Sequence, residues 1–142
     1  MNNMNNILLV EDDYLDAMNV QRQLSKANIS HSIKIARNGK EALSFLQGQE
    51  SERMNPMPDI ILLDINMPKM NGLEFLKEIR SDSELKHMKV FIMTTSNEET
   101  ERTQAQRLGI DGFIIKPLSF DDFDNKRSSM DSFNLLCDLL KN

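Results

Sequence analysis

The stretch Ile60-Ile61-Leu62-Leu63-Asp64-Ile65-Asn66-Met67-Pro68 runs four aliphatic residues directly into a carboxylate. A short, uninterrupted apolar run bounded by turn residues predicts a strand buried on both faces, as in parallel sheets covered by helices. Asp64 then stands at the mouth of that strand, at the edge where open α/β sheets bind their ligands. A second apolar run, Ile7-Leu8-Leu9-Val10, is closed by the acidic pair Asp12-Asp13. Two strands that both end in Asp predict a shared acidic pocket.

Outward from these two runs, apolar stretches alternate with segments of helical period. Residues 13–28 place Ala17, Val20, Leu24 and Ala27 on one helical face. Ser32 to Ala36 alternates weakly, as a second strand would. Asn38-Gly39 reads as a turn, and Ala42, Leu43 and Leu46 then recur at helix spacing. Residues 47–58 are polar with two prolines, which predicts a loop. After the strand at Ile60–Leu63, Leu73, Leu76 and Ile79 mark a helix over 72–80. Val90 to Met93 is the fourth strand, 97–108 a polar helix, and Gly112 to Ile115 the fifth strand. Phe120, Phe123, Met130, Phe133, Cys137 and Leu140 put a last helix over 120–140. Five strand–helix units in succession predict a parallel sheet covered on both faces. The helix over 97–108 stands apart, because between Asn97 and Arg107 only Ala105 is clearly apolar. A helix that buries so little is weakly anchored and is among the easier parts of a fold to move.

The chain of 142 residues fits one domain, with 39% hydrophobic and 27% charged residues. Its net charge of −5 argues against direct nucleic-acid binding. The single cysteine, Cys137, excludes an internal disulfide and suits the cytoplasm. No apolar stretch approaches the roughly 18 residues of a membrane span. Residues 1–5 read as a disordered tail and 6–142 as the folded domain, with no separate output domain after the last helix.

In a parallel sheet every strand ends at the same rim, so residues far apart in sequence meet there. That rim offers Asp12, Asp13 and Asp64, the hydroxyls of Thr94 and Thr95, and the ammonium of Lys116 before Pro117. Three adjacent carboxylates repel, and either protonate or take up a cation. Oxygen ligands without His or Cys select a hard ion, most simply Mg²⁺. With Lys116 as a second positive charge and Thr94 as a hydrogen-bond donor, the set suits phosphoryl transfer to a carboxylate nucleophile.

Glu11-Asp12-Asp13, Leu62-Leu63-Asp64-Ile65-Asn66-Met67-Pro68, Asn71-Gly72, Thr94 and Lys116-Pro117, in this order, resemble the receiver domain of two-component response regulators over nearly the whole chain. The Thr94-Thr95-Ser96 run and the extended final helix resemble the stand-alone receivers that partner phytochrome-type histidine kinases. The resemblance implies a flavodoxin-like, doubly wound five-stranded parallel sheet in the order 2-1-3-4-5, with helices on both faces. It implies a signalling domain rather than an enzyme, with self-phosphorylation and self-dephosphorylation its only intrinsic chemistry. Asp64 would be the phosphoacceptor. The Asp13 and Asp64 carboxylates and the Asn66 backbone carbonyl would bind Mg²⁺, with Asp12 acting through water. Thr94 and Lys116 would contact the phosphoryl group, Thr94 and the aromatic Phe113 would act as the switch, and the peptide bond before Pro117 would be cis. The partners implied are a sensor histidine kinase and a downstream protein target, with a homodimer through the fourth and fifth helices as one form of output.

Other readings of the same residues stay open at this point. Asp12 and Asp13 suit the cap of the first helix, with or without a metal role. Phe113, where many receivers carry Tyr, suits an ordinary core aromatic as well as a switch. A haloacid-dehalogenase-type phosphatase also uses an Asp nucleophile after a strand, but wants a second Asp where this chain has Asn66. A receiver-like adaptor that is never phosphorylated usually lacks one of the acids or the lysine. A flavin site would need a phosphate-cradling loop after the first strand, and none is present.

Overall fold

Ile7, Leu8, Leu9 and Val10 are all fully buried, and so are Ile60, Ile61, Leu62 and Leu63, apart from a trace at Ile60. Successive side chains on a strand point to opposite faces, so burial of every residue in a row requires cover on both sides of the sheet. The computed structural model describes residues 5–48, 53–54, 56–65, 67, 70–94, 99–115 and 140, and has that architecture. The strands are β1 (Asn5–Val10), β2 (His31–Ala36), β3 (Ile60–Asp64), β4 (Val90–Thr94) and β5 (Gly112–Ile115). They form one parallel sheet in the order β2-β1-β3-β4-β5. The helices between them are α1 (Tyr14–Lys26), α2 (Gly39–Gln47), α3 (Gly72–Ser81) and α4 (Glu99–Leu108). The predicted sheet and its strand order are therefore present.

The alternation divides the core in two. Leu8, Val10, Ile61, Leu63 and Ile92 point to the side covered by Ala42, Leu43 and Leu46 of α2, Phe75, Leu76 and Ile79 of α3 and Ala105 of α4. Ile7, Leu9, Ile60, Leu62, Phe91 and Met93 point to the other side, against Ala17, Val20 and Leu24 of α1 and Leu140. Leu140 is helical and 4% exposed, while the rest of the predicted final helix, with Cys137, lies outside the described residues.

Boundaries differ from the sequence reading where polar side chains supply the missing bonds. β1 begins at Asn5, which the sequence pattern assigns to the tail. The Asn5 backbone N–H donates to the Ser30 carbonyl, and its side-chain amide donates to the carbonyls of Ser30 and Leu140. Asn38 and Gly39 are the cap and first residue of α2 rather than a free turn, because the Asn38 side chain accepts from the Glu41 backbone N–H at 2.8 Å. The described part of α4 runs Glu99–Leu108, inside the span the pattern predicts.

Candidate functional site

Asp64 is the last residue of β3 and pairs with Met93 of β4 in the middle of the sheet, so its side chain is only 4% exposed. On the other flank Val10 pairs with Leu63. The next residue in that register, Glu11, therefore lies beside Asp64. Glu11 prolongs β1 by donating its N–H to the Ala36 carbonyl at 2.8 Å, and it is 2% exposed. Its Oε2 accepts from the Asp13 backbone N–H at 3.1 Å. The chain then bends through exposed Asp12 into α1. Glu11, Asp12 and Asp64 each bring a carboxylate oxygen to within 4.8 Å of the others.

Asp13 belongs to a different structure. It is the N-cap of α1, in extended conformation, and its Oδ1 accepts from the backbone N–H groups of Leu15 at 2.9 Å and Asp16 at 3.2 Å. These are two of the orphan donors that every helix start leaves. The acidic set at the rim is thus Glu11, Asp12 and Asp64, with Glu11 in the place that the sequence reading gives to Asp13. A signal was available. Asp13 precedes the periodic face of Ala17, Val20 and Leu24 at the usual capping distance, whereas Glu11 directly continues a buried strand.

Opposite the acids, the start of α3 is pressed onto the end of β3. The Gly72 N–H donates to the Ile65 carbonyl at 2.8 Å. A Cβ built on Gly72 would lie 2.5 Å from the Asp64 carbonyl oxygen and 2.7 Å from the Ile65 Cα. Asn71 and Glu74 close a reciprocal capping box at the same helix start, each side chain accepting from the other's backbone N–H at 3.0 Å. The backbone that carries Asp64 is thereby held from three sides: β1, β4 and α3.

Of the other predicted site residues, Thr94 is the last of β4 and pairs with Ile115. Phe113 of β5 is 8% exposed in the core beneath α4, with the Arg102 guanidinium over its ring, 4.9 Å from the centroid. Asn66, Lys116 and Pro117 lie outside the described residues. Three carboxylates this close repel one another, and a cation held among them would relieve that repulsion. Two of them are buried, which raises the cost of leaving the charge unmatched. An all-oxygen set fits a hard divalent ion such as Mg²⁺ or Mn²⁺.

A family model described as the response regulator receiver domain matches residues 7–126. The chain belongs to that family. It is 36% identical over 127 residues to the response regulator Rcp1 of Synechocystis sp., an alignment covering 89% of this chain and 86% of that protein. A crystal structure of the Mn²⁺-bound form of Rcp1 superposes with a TM-score of 0.76 at 32% identity, covering 97% of this chain and 96% of the other. The phosphorylated cyanobacterial phytochrome response regulator RcpA superposes with a TM-score of 0.74 at 33% identity, covering 96% and 91%. As a receiver domain, the chain is a signalling module of two-component systems. Among the described residues no helix is long and apolar enough to cross a membrane.

Proposed function

We propose that this receiver is a phosphorylation switch whose phosphoacceptor is Asp64. The observation that carries the reading is the convergence of Glu11, Asp12 and Asp64 within 4.8 Å at the ligand-binding edge of the sheet. A related receiver has been crystallised with Mn²⁺ and another in phosphorylated form, which supports both halves of the proposal. An Asp64 carboxylate oxygen attacks the phosphorus of a phosphohistidine on a sensor kinase. The P–N bond breaks, its electron pair returns to the imidazole, and an acyl phosphate remains on Asp64. Glu11, Asp12 and Asp64 would hold a divalent cation, with the Asn66 carbonyl carried over from the family pattern. When bound, that cation supplies positive charge against the phosphoryl oxygens. Lys116 adds a second positive charge and Thr94 a hydroxyl donor, also by the family pattern. Asp13 contributes by fixing the start of α1, which orients the Glu11-Asp12 bend.

The kinase needs a surface beside Asp64. Tyr14 and Leu15, 74% and 73% exposed at the start of α1, together with the more covered Met18, form an apolar strip next to the acidic bend. Burying that strip against a donor protein would hold the phosphohistidine over the rim. Output then passes by protein–protein contact, in the cytoplasm, where the kinase's phosphoryl donor is found.

The test is incubation of the protein with Mg²⁺ and acetyl phosphate, followed by intact mass. Addition of one phosphoryl group to wild type and none to Asp64→Ala is expected. Full labelling of Asp64→Ala would overturn the assignment.

A further inference from the structure

β2 is the outer strand of the sheet, and among the described residues no strand lies on its far side. Two bonds show which way its backbone faces. Asn5 donates its N–H to the Ser30 carbonyl at 3.1 Å, and Glu11 donates to the Ala36 carbonyl at 2.8 Å. In a parallel sheet the residues of a strand turn their N–H and C=O alternately toward one neighbour and the other. Ser32, Lys34 and Ala36 therefore turn theirs to β1, and His31, Ile33 and Ile35 turn theirs outward. Such an outward row of donors and acceptors is a template for one more strand.

The side chains along this edge sort by face. Ile33 packs on the α1 side, and Ile35, of the same parity, is 37% exposed. Ser32 and Lys34 fall on the α2 side, where the Lys34 ammonium sits 4.5 Å from the centroid of the Phe45 ring. A cleft of about 530 Å³ adjoins the strand, lined in part by Asn6, Ser32, Lys34, Arg53 and Met54. Arg53 is half-exposed and pairs with the exposed Glu84 at 3.6 Å, a contact in water that an incoming carboxylate can exchange. The Asp59 carboxylate nearby already accepts from the Asn6 N–H at 2.8 Å.

Charge selects the occupant. Residues 31–37 include Lys34 and Arg37 and no acid, in a chain whose net charge is −5. A second copy pairing through the same edge would set cation against cation, which destabilises cross-strand pairs. We propose that the outer edge of β2 is a docking strand for an extended segment of another protein in which acidic and apolar residues alternate. Its main chain pairs with His31, Ile33 and Ile35. Its acidic side chains reach Lys34 and Arg53 at the cleft, and its apolar ones cover Ile33 and Ile35. The two-residue period of a strand sorts the two kinds onto these two faces. At about 3.3 Å per residue, the six residues of β2 take a partner segment of about 20 Å. The site depends on neither Asp64 nor a metal.

The probe is a capped hexapeptide of alternating valine and glutamate, added to the full, unphosphorylated chain. Amide hydrogen exchange is followed residue by residue by NMR. At about ten times the dissociation constant, exchange at His31, Ile33 and Ile35 should slow about ten-fold, because those amides then exchange only from the unbound fraction. Ser32, Lys34 and Ala36, already bonded to β1, should not change. N-methylation of one alternating set of peptide amides should abolish binding, and N-methylation of the other set should leave it intact. Lys34→Gln should weaken binding about two- to five-fold, the usual contribution of an exposed ion pair, and Lys34→Glu should weaken it further. Lys34 is exposed, so both variants should fold. A peptide with three valines followed by three glutamates has the same charge and should bind more weakly. Equal binding of that peptide, with shifts at Lys34 and Arg53 but no slowing at the three outward amides, would reveal an anion cleft without strand pairing and overturn the proposal. Slowing that grows with protein concentration in the absence of peptide would identify a second copy as the occupant and overturn it too. So would unchanged exchange at His31, Ile33 and Ile35 with the alternating peptide at millimolar concentration.

Discussion

Gly72→Ala is the smallest change that tests how Asp64 is held. The added methyl carbon would sit 2.5 Å from the Asp64 carbonyl oxygen, 2.7 Å from the Ile65 Cα and 3.1 Å from the Asp64 carbonyl carbon. All three are backbone atoms of the strand end that carries Asp64, so no side chain can rotate away. Either α3 lifts off the sheet or the end of β3 shifts. Overpacking of this kind destabilises by about 1–3 kcal/mol. Helix propensity alone would favour Ala by up to about 1 kcal/mol, so the sign of the result is informative. At roughly 2–4 °C per kcal/mol for a domain of this size, the melting temperature should fall by about 2 to 12 °C. Thermal melting followed by circular dichroism reads the stability. Labelling by acetyl phosphate, measured well below the melt, reads the displacement of Asp64 and should also slow. A melting temperature equal to wild type within about 1 °C, with an unchanged labelling rate, would refute the argument that α3 is pressed onto this strand end. Gly39→Ala is the internal comparison. Its Cβ would meet the flexible Met70 Cγ at 2.8 Å, with Phe75 Cβ at 2.9 Å and the Met70 carbonyl oxygen at 3.0 Å. Part of that clash can relax, and a smaller loss is expected.

Other outcomes follow from the same contacts. Asp13→Ala should lose about 1 kcal/mol through the missing α1 cap, while Asp13→Ser should recover most of it; denaturant titration measures both, and labelling should persist in each. Mg²⁺ should raise the melting temperature of wild type and of Asp13→Ser, by an amount equivalent to about 2.7 kcal/mol at a hundred times its dissociation constant; the rise should vanish in Glu11→Gln combined with Asp12→Asn, and its survival there would dismiss the acidic cluster as the metal site. Without metal, Asp12→Asn should melt slightly higher than wild type, because one of three mutually repelling carboxylates is gone. Leu62→Ala, at a fully buried position in the central strand, should cost about 2–5 kcal/mol, a large share of the total stability of a typical domain, and denaturant titration checks it.

Much of the architecture was legible because local pattern and final environment coincide. The runs at Ile7–Val10, Ile60–Leu63 and Val90–Met93 are aliphatic or aromatic at every position, and only strands covered on both faces ask for that. The faces of α1 and α3 follow from the spacing of Ala17, Val20 and Leu24 and of Leu76 and Ile79. The thin burial of α4 follows in the same way from a segment whose one clear apolar residue is Ala105.

What sequence spacing left undecided is which acidic side chain points where. Glu11, Asp12 and Asp13 are consecutive and each is suited either to a helix cap or to a metal site. Strand register decides which of them lies beside Asp64. Val10 pairs with Leu63, so Glu11 falls beside Asp64, and the chain turns before Asp13 can follow it. The contacts of Lys34 with Phe45 and of Arg102 with Phe113 are equally invisible in one dimension. Each joins residues about eleven apart in sequence, and nothing local marks either cation as different from a solvated one. Composition and periodicity determine which segments are buried and in what layers, because hydrophobic burial is non-directional and sums over a face. Hydrogen bonds and charge contacts depend on distances of a few ångströms between particular atoms. Those distances exist only after the sheet has fixed its register and the helices have docked upon it.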